Sequence, residues 1–245
     1  PSHLEGNDKG FAVIGYGKLG GYELGYGSDL DLVFIHNAPR SSSTDGKKSI
    51  EAQQFYIKLA QRIMHLLNTK TLFGQLYETD LRLRPSGNAG LLCCHINGFE
   101  KYQVEEAWTW EHLALTRARI VAGDEGLGQR IEEFRKTLLA SDRDRGKTLS
   151  DTDEMRKRLH EAKPGRGPWD VKSGAGRMME IELLAQACAL ISGTVAHDLV
   201  TQLESGVGIG ILDAADVSAL CDALRLFGCI RAAGRLLTAG VLDPD

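Results

Sequence analysis

Long hydrophobic runs are missing from this 245-residue sequence. No apolar stretch approaches the roughly 20 residues that a bilayer-spanning helix requires, so no membrane association is expected. The opening residues, Pro1 to Lys9, lack the apolar core of a signal peptide. Zinc-spaced or framework cysteines are missing too. Cys93, Cys94, Cys188, Cys221 and Cys229 are odd in number, and most sit among apolar neighbours, the pattern of reduced, packed thiols. Together these absences lead us to expect a cytoplasmic protein. An excess of positive charge is also lacking: the net charge is −4, and no stretch is both basic and lined with aromatics. Binding to nucleic acid is therefore not expected. There is no internal repeat and no low-complexity segment. What remains is a chain 42% hydrophobic and 25% charged, ordinary for a globular protein, and long enough for one large domain or two small ones.

The chain is organised around Gly15 to Ile35. Phe11-Ala-Val-Ile14 is a short apolar run that predicts a buried strand. Gly15, Gly17, Gly20, Gly21, Gly25 and Gly27 then fall within thirteen residues. So many glycines weaken regular structure, which predicts a shaped loop whose backbone amides are available to a ligand. The dinucleotide-binding fingerprint fails here, because the loop leads into a second strand and not into a helix. Gly27-Ser28 precedes Asp29-Leu30-Asp31, and on that strand Asp29, Asp31, Val33 and Ile35 share one face while Leu30, Leu32 and Phe34 share the other.

Beyond Ile35, residues 36–48 form a surface loop rich in Ser, Asp, Gly and Lys. Ala52, Phe55, Tyr56, Leu59, Ala60, Ile63, Met64 and Leu67 keep helical spacing over four turns, with Ser49 as the expected N-cap and one sheet face as the expected partner. Gln75 to Arg84 predicts a strand with Leu76, Glu78, Asp80, Arg82 and Arg84 on one face and Tyr77, Thr79, Leu81 and Leu83 on the other. Pro85 ends it, Ser86 to Gly90 makes a turn, and Leu91 to His95 adds a further strand. From Phe99 the pattern becomes helical: Phe99, Tyr102, Trp110, Leu113, Ala114 and Val121 share a face, with Trp108 on the opposite side. After Gly123-Asp124 the chain reads as helix and loop: 127–139, 149–159, 178–190, 196–203 and 214–237, the last with an expected break near Gly228. A loop of helix breakers, Lys163 to Pro168, interrupts this part. The expected architecture is α+β, a mixed sheet with helices followed by an all-helical part.

Two carboxylates at the head of a strand, directly after a glycine loop, suit a divalent cation, which takes oxygen ligands and is commonly held by one or two carboxylates plus substrate phosphates. Asp80 on a neighbouring strand would add a third carboxylate and make a two-metal site available for in-line displacement. Gly27 and Ser28 can donate to a triphosphate, as can the loop that carries Gly17 and Lys18. Arg82 and Arg84 can neutralise charge on a leaving pyrophosphate. Each element also has an ordinary explanation. A strand of alternating charge is commonly a solvated face with pairs of small worth, and Asp-x-Asp is common in surface turns. Their joint occurrence with the glycine loop and two apolar strands, in this order, favours the site.

The pattern Gly-Ser-Asp-Leu-Asp at 27–31 followed by a later strand aspartate resembles the DNA polymerase β-like nucleotidyltransferases. More narrowly, Gly15 through Phe34, Gln54 through His65, Tyr77 through Gly87 and Glu106-Ala-Trp-Thr-Trp-Glu-His112 resemble the glutamine synthetase adenylyltransferase family. Proteins of that family are long and bifunctional: one half removes AMP from glutamine synthetase, the other attaches it. The wording Gly-Tyr-Gly-Lys-Leu-Gly-Gly with Ala-Trp-Thr-Trp-Glu-His resembles the C-terminal, adenylylating half. The resemblance implies a nucleotidyltransferase domain over residues 1–122 and a helical bundle over 123–245. It implies Asp29, Asp31 and Asp80 as catalytic, Mg²⁺- or Mn²⁺-binding carboxylates, ATP as substrate, and Gly17, Lys18, Gly27, Ser28, Arg82 and Arg84 at the nucleotide. It further implies glutamine synthetase as protein substrate, with the PII signal protein and glutamine as effectors of the full-length enzyme. Phosphorolytic removal of AMP and a non-catalytic nucleotide-binding module are the competing expectations. After Trp169 the likeness loosens. Arg177 stands where the family's second glycine is expected and Glu180 where an aspartate is. No role is assigned to Lys172, Glu180 or Glu182, and acidic residues at a helix start account for the glutamates equally well.

Overall fold

Residues 9–25, 27–75 and 77–238 are described by a computed structural model. Two compact units are present, each assembled from separated segments. Of the described residues, the first takes those within 9–23, 28–107 and 118–138, and the second those within 24–27, 108–117 and 139–238.

The first unit is built on a mixed five-stranded sheet. β1 (Phe11–Gly15) lies antiparallel to β2 (Leu30–His36), with Ile14 opposite Val33, and antiparallel to β5 (Arg119–Gly123) on its other side. Along its far edge β2 meets two short strands in succession, both parallel to it. β3 (Thr79–Asp80) pairs at residues 30–31 and β4 (Cys93–His95) at residues 34–36. Leu32 and Phe34 point to one face of β2 and Val33 and Ile35 to the other, and all four are buried, so this stretch is covered on both faces. Complete burial of Phe34 stabilises the fold by roughly 1.5–3 kcal/mol.

The sixteen-residue helix α2 (Ala52–Leu67) covers the Leu32 and Phe34 face. Its small residues Ala52 and Ala60 and the ring of Tyr56 form the contact, and Tyr56 stacks on the imidazole of His36 at 4.5 Å. Glu51, and not Ser49, is its N-cap. Asp31 therefore projects from the face of β2 opposite α2.

Three further expectations are corrected in this unit. The glycine loop contains one helical turn, α1 (Gly17–Gly20). The strand expected over 75–84 is only the two residues of β3, and Leu76 lies outside the described residues. The carboxylate of Asp80 accepts the backbone N–H of Arg82 at 2.9 Å, a local bond that competes with the ladder and turns the chain off the sheet. The segment 119–123 is strand and not the end of a helix. The helical spacing of 99–114 belongs to α3 (Ile96–Glu105) and α4 (Thr109–Leu115), and Val121 matched that spacing by coincidence. Helix α5 (Glu125–Leu139) closes the unit, with its residues to 138 grouped there.

The second unit is helical. Alongside α4 it holds α6 (Arg145–Ala162), α7 (Met178–Ser192), α8 (Leu199–Gly208) and α9 (Ala214–Leu237), the last unbroken at Gly228. Small residues set its packing. Ala185, Ala187, Cys188 and Ala189 of α7 are buried, and a Cβ on Gly206 of α8 would lie 2.8 Å from the Cys188 sulfur. Asp144, Asp198 and Asp213 cap α6, α8 and α9 by accepting a backbone N–H in the first turn. Trp108 precedes α4 and is 69% exposed; its backbone N–H donates to the Glu111 carboxylate at 2.9 Å. No helix among the described residues is long and apolar enough to cross a membrane.

Candidate active site

The parallel pairing of β2 with β3 puts Asp31 directly opposite Asp80. Two residues on different strands, 49 positions apart in sequence, thus become neighbours on one sheet. Asp29 lies just before β2 and is exposed, while Asp31 and Asp80 are half-buried. On the other side of Asp31 stands the backbone of Gly17. Its φ of +51° is left-handed, and a Cβ there would come within 2.5 Å of Asp31 Oδ2. Only glycine lets the loop approach the carboxylate this closely.

Arg82 folds back over Asp80. Its Nε donates to Oδ1 at 3.0 Å and to Oδ2 at 2.8 Å, and its Nη2 also donates to Oδ2. These hydrogen bonds and the Asp80 charge, followed by the charges of Asp31 and Asp29, hold the guanidinium protonated beyond its ordinary range. Arg82 thus lies in the field of all three candidate carboxylates. Arg84 is spent otherwise: it donates to the carbonyls of Leu81 at 2.7 Å and of Asn88 and Gly90 at 3.2 Å, and so pins the 81–90 turn. Lys18 lies in α1, where its carbonyl accepts the Glu23 N–H at 2.8 Å. Ser28 is buried. Gly27 groups with the second unit, and a Cβ there would meet the Arg235 guanidinium carbon at 3.3 Å.

The donor set is suitable for a hard divalent cation in kind, since Asp31 and Asp80 are in-register oxygen donors with Asp29 close in sequence. In arrangement the three are not gathered: among the described residues no three His, Cys, Asp or Glu side chains cluster closely enough to hold a metal. The two oxygens of Asp80 are engaged by Arg82, so a cation at Asp80 would share or displace that guanidinium.

No motif or spacing points to Arg119. From β5 its Nε and Nη2 donate to the carbonyl of Leu19 at 3.2 and 3.0 Å, and its Nε also reaches the carbonyl of Gly20 at 3.2 Å. It thereby satisfies carbonyls left open at the end of α1. The same guanidinium lies 4.1 Å from the ring centre of Tyr22, a residue held at a left-handed φ of +59°. Arg119 thus fixes the far end of the turn that begins at Gly17. Recognising 119–123 as a strand was the step needed to find it.

A family model described as glutamate-ammonia ligase adenylyltransferase matches residues 1–134. The chain belongs to this family. Three relatives share one name, bifunctional glutamine synthetase adenylyltransferase/adenylyl-removing enzyme. That of Alteromonas mediterranea is 66% identical over 203 residues, covering 82% of the chain and 20% of the relative. That of Shewanella woodyi is 47% identical over 236 residues, or 91% of the chain and 25% of the relative. That of Shewanella loihica is 50% identical over 205 residues, or 81% and 21%. The chain therefore spans about a fifth to a quarter of the length of these family members. The α+β fold with its mixed sheet is consistent with a nucleotidyltransferase of this family.

Proposed function

We propose that this chain transfers AMP from ATP to a tyrosine hydroxyl of glutamine synthetase and releases pyrophosphate. The observation that carries the reading is the pairing of Asp31 with Asp80 behind the Gly17 turn, in a chain of this family. In the reaction the tyrosyl oxygen bonds to the α-phosphorus while the bond from that phosphorus to the bridging oxygen breaks. Pyrophosphate leaves with the electron pair, and the tyrosyl proton passes to a base. Asp80 faces Asp31 at the sheet edge and serves as that base. A phenol, with an unperturbed pKa of about 10, asks less of it than an aliphatic alcohol would. Arg82, already held in the field of the three aspartates, neutralises charge developing on the leaving group. Gly17, Lys18, Gly27 and Ser28 are the proposed contacts to the nucleotide. A bound Mg²⁺ or Mn²⁺, held by Asp31 and Asp80 with Asp29, would supply Lewis-acid stabilisation of the phosphoryl oxygens.

The proposed division places catalysis in residues 1–122, with 123–245 as a helical domain. Glutamine and the PII signal protein are proposed as effectors of the full-length enzyme in the cytoplasm. The deciding assay supplies α-labelled ATP, Mg²⁺ and glutamine synthetase. The expected result is labelled glutamine synthetase with one pyrophosphate per AMP, and a loss of about 10²–10³-fold in Asp31→Asn. Undiminished labelling by that variant removes the assignment.

The relatives' shared name also contains an adenylyl-removing activity, which supports a second reading: phosphate attacks the AMP–tyrosine bond and yields ADP. Adenylylated glutamine synthetase with phosphate, but without pyrophosphate, tests it through release of ADP.

A further inference from the structure

The second unit contains a cavity of about 570 Å³ between the loop that follows α6 and the last turns of α9. Five cationic side chains line it: Lys163, Arg166 and Lys172 from the loop, Arg231 and Arg235 from α9. Among the described residues Asp170 is the one carboxylate in the lining, and its oxygens are committed to the loop. They accept the backbone N–H groups of Arg166 at 3.2 Å, Lys172 at 3.2 Å and Ser173 at 3.1 Å. The side chains of Lys163, Arg166, Lys172 and Arg231 make no hydrogen bond or ion pair among the described residues.

Arg231 is the most telling of these. Its Nη1 is shielded from solvent and has no hydrogen-bond partner, an arrangement that costs free energy unless an acceptor arrives. It stands one turn from Arg235 on the same helix, and like charges at this spacing destabilise a helix. The C-terminal position favours a cation at Arg235 through the helix dipole but leaves the orphaned Arg231 nitrogen unexplained. Burial, and then the Arg235 charge, push the Arg231 guanidinium below its ordinary range.

The facing wall is preformed. Arg177 donates to the carbonyls of Gly167 at 2.9 Å, Ser173 at 3.2 Å and Asp170, so the loop is wound around its guanidinium. Glu180 accepts the Gly176 N–H at 2.8 Å and holds the loop's exit. Trp169, 46% exposed, adds an aromatic surface to this wall. A rigid cationic cavity of this volume, with an indole on one side, has the size and chemistry of a nucleotide pocket.

We propose that this cavity binds a phosphate-bearing nucleotide, its phosphates on Arg231, Arg235 and Lys172 and its base against Trp169. The residues named in its lining all belong to the second unit. It stands whether or not the Asp31–Asp80 pair transfers AMP.

The test is calorimetric titration of the whole chain with ATP, AMP and inorganic pyrophosphate in EDTA, which withdraws any cation the carboxylates would use. Wild type is expected to bind ATP more tightly than pyrophosphate, and Trp169→Ala to remove that difference. Arg231→Gln and the exposed Lys172→Gln should each weaken ATP by about tenfold, as loss of a charge-assisted hydrogen bond does. Asp31→Asn should bind ATP as wild type does. Absence of binding, or ATP affinity unchanged in both Arg231→Gln and Lys172→Gln, overturns the proposal. Pyrophosphate binding as tightly as ATP overturns the nucleotide assignment. Loss of ATP binding in Asp31→Asn moves the ligand to the carboxylate strands and overturns the site.

Discussion

Replacing Gly17 with alanine places a Cβ against the Asp31 carboxylate. At φ +51° an L side chain costs about 1–2 kcal/mol. The new carbon would also lie 2.5 Å from Asp31 Oδ2, closer than contact permits, so the carboxylate must rotate away. Forcing that side chain off its rotamer costs about 0.5–1.5 kcal/mol. Reduced freedom of the unfolded chain returns about 0.4–1 kcal/mol. The net loss is about 2 kcal/mol. Gly228 is the control. It lies inside α9, and a Cβ there meets nothing within 4 Å, so the same substitution should stabilise by about 0.5–1 kcal/mol. Urea denaturation of both variants should therefore separate them by about 2–3 kcal/mol, with wild type between. In the AMP-labelling assay Gly17→Ala should also lose about a hundredfold, because a misplaced carboxylate no longer meets the reacting groups. A Gly17→Ala protein as stable as Gly228→Ala would show that the turn does not press on Asp31, and the reasoning about the loop would fail with it.

Arg82→Ala should leave the urea midpoint nearly unchanged, since a pair whose arginine is 69% exposed contributes about 0–1 kcal/mol, while AMP transfer falls severely; a large stability loss with activity retained would reverse the assignment. His36 is buried beneath Tyr56, and burial holds its pKa below the ordinary 6.5. The unfolded chain then binds the extra proton first, so stability is full above about pH 6.5 and declines as pH falls toward the depressed folded value. His36→Gln should flatten that slope between pH 7 and 5, and a slope equal to that of wild type would exclude His36 as its source. Native thiol titration should show one fast group, Cys229, which is exposed. Burial pushes the Cys94 thiol up to about 12 and that of Cys188 up to about 11, so Cys229→Ser should abolish the fast phase.

The periodic elements were legible from spacing alone. The run Phe11–Ile14, the Leu30–Phe34 alternation and the helix from Ala52 to Leu67 each follow from a single apolar repeat, and each forms. Asp31 and Asp80 could be named as candidates from the motifs they end, but their facing register depends on a parallel pairing that sequence spacing does not encode. Alternating charge continues to Arg84 and so overstates the length of β3, because the hydrogen bond from Arg82 to Asp80 has already turned the chain. The same local bonding hid the work of Arg84, which looks like a free cation in the sequence and is a turn pin in the fold. Arg177, noted only as standing in place of a glycine, turned out to be the post around which its loop is wound. Residues of this kind serve backbone carbonyls, and carbonyls leave no trace in composition.

The unequal strands that bear the two facing aspartates should also differ in how readily they open. β2 is paired along both edges and carries the buried run Leu32 to Ile35, so its amides should exchange with solvent deuterium only through the rarest, most extensive openings. β3 is two residues long, and its amides should exchange through small local fluctuations. One carboxylate is thus mounted on the slowest-exchanging part of the unit and its neighbour on one of the fastest. A ligand that bridges Asp31 and Asp80 would be felt almost entirely at β3, and protection gained at Thr79 and Asp80 with none at Leu32 to Ile35 would be its signature.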